Sequence, residues 1–205
     1  MPRPNRRSLL GGALLALAAI GPAARAQDAV PTRLRGTIVG LEGNALTVNL
    51  RAGGTARVML AEALTVASLR RVALADLAPG TSVGAVAEPG PDGALRAVAI
   101  TVLPPGQRIT ELQVPWDTGQ DSSMNNGPIG AVVENAGGRE LTLSILGRSV
   151  RLLVSPDTPL LQPVPASRAD LVPGRAVFIN GTRAADGQVS ATRVTVEKDG
   201  VAPVI

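Results

Sequence analysis

Leu46, Val48 and Leu50 alternate with smaller or polar residues, and so do Leu141, Leu143 and Ile145, then Val150, Leu152 and Val154. A period of two turns one side of an extended chain toward a core and the other toward water, so these stretches predict strands. The breaks between them carry turn chemistry: Gly43-Asn44, Gly53-Gly54, Asp92-Gly93, Gly137-Gly138 and Asp186-Gly187. Such pairs supply the positive φ that tight hairpins require. Two Ala-Asp-Leu segments, each followed by Pro-Gly (Pro79-Gly80 and Pro173-Gly174), read as single helical turns that launch the next strand. No stretch shows the apolar spacing of an amphipathic helix of useful length.

The pattern is written twice. Gly36 matches Gly130, Asp76-Leu77 matches Asp170-Leu171, and Asp92-Gly93 matches Asp186-Gly187, each 94 residues on. One offset held by three separated landmarks implies an internal duplication. Five or so short strands in ~70 residues favour a small closed barrel over a large sandwich. A barrel of that size is marginal alone and gains from packing against its copy. The expectation is an all-β fold with tandem barrels at 33–103 and 129–197. An irregular connector at 104–128 joins them, and a tail at 198–205 follows.

The N-terminus reads as an export signal over residues 1–26. Arg3, Arg6 and Arg7 form a basic start, Leu9 to Ile20 an apolar run, and Ala24-Arg25-Ala26 a small-x-small cleavage pattern. Arg6-Arg7-Ser8-Leu9-Leu10 also suits twin-arginine export, so that route and general secretion both stand. Either predicts a periplasmic or secreted protein. The apolar run is short of the ~20 residues a membrane helix needs, and no later run reaches that length.

Removing the leader changes the charge picture. The 205-residue chain has 20 Lys+Arg against 16 Asp+Glu. Four of those arginines lie in the leader, which leaves the two signs balanced. Nucleic acid and anionic lipid require net or clustered positive charge, so neither is an expected partner. The sequence contains no cysteine, histidine or tyrosine. The usual general base, the thiolate nucleophile and the soft-metal ligands are therefore missing, and no enzyme activity, catalytic residue or cofactor is expected. The sole lysine, Lys198, sits in a charged turn, Glu197-Lys198-Asp199-Gly200.

The stretches "RGTIVGLEGNALTV", "ADLAPGTSVGAV" and "DGALRAVAI" resemble a bacterial family of exported domains of unknown function. That resemblance implies an OB-like barrel in each copy. Two copies around "PWDTGQDSSMNNGPIGAVV", ending in "VEKDGVAP", are similar to a subgroup of small secreted proteobacterial proteins often labelled metal transporter permeases. The lack of a spanning segment after the leader argues against carrying that label over. The subgroup's connector pairs a tryptophan-aspartate with a serine-x-methionine-asparagine-like stretch, matched here by Trp116-Asp117 and Ser122 to Asn126. Asn125 stands where the subgroup has threonine.

Trp116 is the only tryptophan and Phe178 the only phenylalanine. Two readings of Trp116 stand: a clasp packed between the barrels with its N–H on a backbone carbonyl, or an exposed stacking platform. Asp117 and Asp121 are weak candidates for a hard cation, but EF-hand spacing fails, and Asp and Asn beside Gly and Pro commonly cap their own backbone. No metal site is expected. The expected role is non-catalytic binding or scaffolding in the cell envelope, with a protein or glycan partner held at Trp116, Asp117, Met124, Asn125 and Phe178. The alternative is a small-ligand or Ca/Mg sensor centred on the same connector.

Overall fold

A computed structural model describes residues 29–135 and 137–204. The expected export signal lies outside the described residues. The described residues form twelve strands: β1 Val30–Glu42, β2 Ala45–Leu50, β3 Thr55–Arg71, β4 Ser82–Pro89, β5 Leu95–Val102, β6 Leu112–Pro115, β7 Ser123–Asn135, β8 Gly138–Ile145, β9 Arg148–Val154, β10 Leu160–Pro165, β11 Ala176–Arg183 and β12 Val189–Val196. Among the described residues there is no α-helix, and no helix is long and apolar enough to cross a membrane. The fold is all-β.

The two Ala-Asp-Leu segments form single 3-10 turns, Leu74–Asp76 and Arg168–Asp170. Each aspartate reaches back and accepts a hydrogen bond from the N–H that opens its own turn, Ala73 to Asp76 at 2.8 Å and Ser167 to Asp170 at 2.8 Å. The leucine after each aspartate, Leu77 or Leu171, then enters a core. The aspartates are thus turn devices, and Asp170 also pairs with Lys198 at 2.9 Å.

Strand pairing closes a five-stranded barrel in the order β1–β2–β3–β12–β11 and back to β1. Three of its strands come from the first copy of the repeat and two from the second. The remaining core strands make a second circuit of pairings, β7–β8–β9–β5–β4, again drawn from both copies. Equivalent residues close the two circuits. Val189 lies beside Val58, and Leu95 lies beside Leu152, each partner displaced by 94 residues. The segments 33–103 and 129–197 therefore do not close separate barrels, which corrects the tandem arrangement expected from the sequence. The physical reason is that β3 does not fold back on β5 of its own copy; it runs on into the other half of the molecule.

The cores follow the pairing. One gathers Leu34, Ile38, Leu46 and Val58 with Leu171, Ile179 and Val194, and the other gathers Leu77, Val83 and Ile100 with Ile129, Leu143 and Leu152. Burying a Leu, Ile or Val contributes roughly 1.5–3 kcal/mol, and each core draws these side chains from both halves.

Between the cores, β3 and β10 run antiparallel, with Ala67 to Arg71 opposite Pro165 to Leu161. Leu69 faces Pro163 at the centre of this crossing. The two are 94 residues apart, so they mark the position of a pseudo-two-fold axis.

One landmark needs correction. Gly36 lies opposite Val177, and the residue opposite the equivalent Val83 is Gly127, not Gly130. Both glycines let a neighbouring carbonyl approach where a Cβ would collide, Asn49 at Gly36 and Ser144 at Gly127. The β7–β8 hairpin is longer than β1–β2, which restores the 94-residue offset farther along. The connector is also more regular than expected: β6 and the start of β7 form a hairpin, and Ser123 to Pro128 pair with β4.

Candidate functional site

The β6–β7 hairpin carries the Trp116–Ser122 loop at its tip. The Trp116 backbone N–H donates to the Ser122 carbonyl at 2.7 Å. The buried Ser122 hydroxyl lies 3.0 Å from the Trp116 carbonyl and 2.9 Å from that of Gly119, and it accepts from the Gly119 N–H at 3.2 Å. Asp121 takes a positive φ of 59°, which closes the loop. Aspartate tolerates this conformation better than most residues. The loop is held by its own backbone.

Its tip docks on the outer face of β1. The Arg33 guanidinium sits over the Trp116 ring, 3.8 Å from the centroid. Arg35 donates to both Asp117 carboxylate oxygens at 2.9 Å and also lies 4.7 Å from the Phe178 ring centroid. Those hydrogen bonds hold the Asp117 carboxyl below its ordinary range, against the opposing effect of burial, and the Arg35 charge adds to the lowering. Sequence reasoning missed Arg33 and Arg35. The available signal was two arginines at alternate positions of a strand, which point to the same face.

The clasp differs from expectation in one respect. The Trp116 Nε1 is buried and no carbonyl accepts from it. Its ring is held by packing and by Arg33. Asp117 also has both oxygens committed to Arg35, and no three acidic side chains gather into a metal cluster among the described residues.

Trp116, Met124 and Phe178 line one groove of about 570 Å³. It sits on the pseudo-two-fold axis, because three pairs of equivalent residues face it: Thr101 and Thr195, Ala67 and Leu161, Leu69 and Pro163. The lining is not symmetric. The positions equivalent to Phe178 and Arg35 are Gly84 and Asn126, so the arginine–aromatic stack exists on one side only. Arg193 adds a charge.

Asn125 does not belong to the groove. It is fully buried, with its amide nitrogen 3.3 Å from the Ala85 carbonyl and 2.9 Å from the Ser123 hydroxyl, and its side-chain oxygen accepts from Gln113 at 2.8 Å. It ties β6, β7 and β4 together, a positioning role for the hairpin that carries Trp116.

A larger cavity of about 910 Å³ lies on the other face of the β3–β10 crossing. Three of its polar side chains are engaged locally. Arg70 donates to Gln162, Glu111 accepts from the Leu146 N–H at 2.6 Å, and Asp76 caps its own turn.

The chain matches no protein-family model, and neither curated proteins nor solved structures match it.

Proposed function

We propose that this is an exported, non-catalytic binding protein of the cell envelope, and that its groove receives an apolar segment of a protein partner. One observation carries the reading: the only tryptophan, the only phenylalanine and Met124 line a single groove between the two cores. Aromatic and methionine side chains are enriched where proteins bind one another. A protein segment is favoured over a glycan because a sugar stacks on an open indole face, and the Arg33 guanidinium already covers one face of this ring.

The barrel order β1–β2–β3–β12–β11, with a parallel closure between β3 and β12, supports reading it as OB-like, and we read the second circuit as its twin. This agrees with the resemblance to exported OB-like domains, which we retain as the proposed kinship. The scaffold alone assigns no ligand. The absence of histidine and cysteine from the sequence supports binding over catalysis. The sensor reading is weaker, since a cation at Asp117 must displace Arg35 from both carboxylate oxygens.

Photo-crosslinking in intact cells tests the proposal. A crosslinker at Arg193, beside the groove, captures a defined partner, whereas the same group at Arg57, a first-copy position away from the groove, does not. Equal capture from both sites, or from neither, contradicts it.

A further inference from the structure

Within one molecule the halves are joined covalently by a single strap, residues 103–111, between β5 and β6. Every other link between them is non-covalent: the β1–β11 and β4–β7 ladders, the parallel pairings β3–β12, β5–β9 and β5–β10, the β3–β10 crossing, the Arg35–Asp117 tie and the two mixed cores. Each of those links satisfies one half with the other, and none depends on the two halves belonging to the same chain.

From this we propose that a second copy of the chain is a partner, and that two molecules exchange halves. The β1–β5 half of one completes its barrels with the β6–β12 half of the other, and the reciprocal pair does the same. This inference stands on the strand pairing and is independent of what the groove binds.

The exchanged dimer keeps every ladder and both cores per chain. Only the strap takes a different path. In the monomer it reverses at a tight turn, where the Gln107 N–H donates to the Pro104 carbonyl at 3.1 Å. Pro105 and Gly106 are its central residues, and Gly106 has a φ of 80°. That combination defines a type II turn. A short strap gives each half an effective concentration of order mM for its own partner half, so the closed monomer dominates in dilute solution. Removing the turn weakens that advantage, because a shorter strap must then span the same gap without its tight reversal. Exchange through a hinge loop is a low-cost route to a dimer of this kind. Interconversion is slow, since both circuits must open.

Two experiments on the full chain test the proposal. Deleting Pro105 and Gly106 gives a species of twice the monomer mass by light scattering, with strand content unchanged. The second uses the absence of cysteine from the sequence and the pairing of exposed Val30 with exposed Arg183 across β1–β11. One chain carries Val30→Cys and a second, differently tagged chain carries Arg183→Cys. The two are unfolded, mixed and refolded at high concentration. Disulfides between unlike chains form in large excess over disulfides between like chains. A folded monomer from the deletion variant overturns the proposal. So do equal yields of like and unlike pairs, and this result decides the matter if the deletion variant fails to fold.

Discussion

Leu69 on β3 lies directly opposite Pro163 on β10, and the two hold the same position in the two copies of the repeat. Antiparallel segments that meet at equivalent residues are related by a two-fold axis. The crossing is therefore the intramolecular form of a symmetric strand exchange, and it explains why both circuits close with strands from both halves. It also places the groove. A cavity on a pseudo-two-fold axis is lined twice by the same positions, and a difference between the copies, such as Phe178 against Gly84, decides which side carries the aromatic.

The close-approach glycines test the register. Gly36→Ala and Gly127→Ala each push a methyl into a backbone carbonyl, of Asn49 or Ser144, and cost about 1–3 kcal/mol. At Gly130 the Thr142 carbonyl oxygen is 3.4 Å from an added Cβ, so Gly130→Ala is close to neutral. Urea midpoints of the three variants distinguish this register from one in which Gly130 is the counterpart of Gly36.

The tie between Arg35 and Asp117 predicts a pH dependence. Hydrogen bonds from Arg35 keep the Asp117 carboxyl below its ordinary value of 3.8 in the folded state. A depressed carboxylate contributes stability that is fully present above the unfolded value and is lost as pH falls through the folded one. The Asp117 side chain is 42% exposed, so solvent screens the pair and Asp117→Asn costs only about 0.2–1 kcal/mol near neutrality. Chemical denaturation at neutral pH and below about pH 3 shows that cost disappearing in acid, and added salt reduces it at neutral pH.

Trp116 acts through its ring and not through its indole N–H, which has no acceptor. Trp116→Phe keeps an aromatic surface for Arg33 and removes the orphaned donor, so its cost stays below about 1 kcal/mol. Trp116→Ala costs about 2 kcal/mol, less than full aromatic truncation in a core because the residue is half-buried. Arg33→Ala uncovers the indole and shifts its emission to the red. Thermal unfolding of the first two variants and the emission spectrum of the third check these outcomes.

The strands were legible because Leu46, Val48, Leu141 and Leu143 alternate with polar neighbours, and all four are fully buried. The turns were legible at Gly43, Gly53, Gly93 and Gly187, which all take positive φ. Which copy a strand would close on was not legible. The two copies carry the same pattern, so β3 suits β5 and β12 equally well by residue type, and the choice rests on the path of β3 and the strap. Gly130 resembled Gly36 by residue type, whereas spatial equivalence follows hairpin length. Ser123 to Asn126 read as loop because asparagine favours turns, yet the edge of β4 recruits them into β7 and Asn125 is satisfied by the Ala85 carbonyl and Gln113. Trp116 and Phe178 were singled out for their rarity and Met124 for its place in the connector, and the three line one groove. Asn125 does not join them.

The shared cores are tested most directly by residue-resolved amide exchange on Ile179→Ala. Ile179 belongs to the second copy, yet it packs against Leu34, Leu46 and Val58 of the first. Removing its side chain costs about 2–5 kcal/mol. The account predicts accelerated exchange at Leu46 and Val48 on β2, with Leu141 and Leu143 on β8 much less affected. The reverse pattern, loss of protection on β8 with β2 unchanged, means that each half closes on itself and contradicts the exchange.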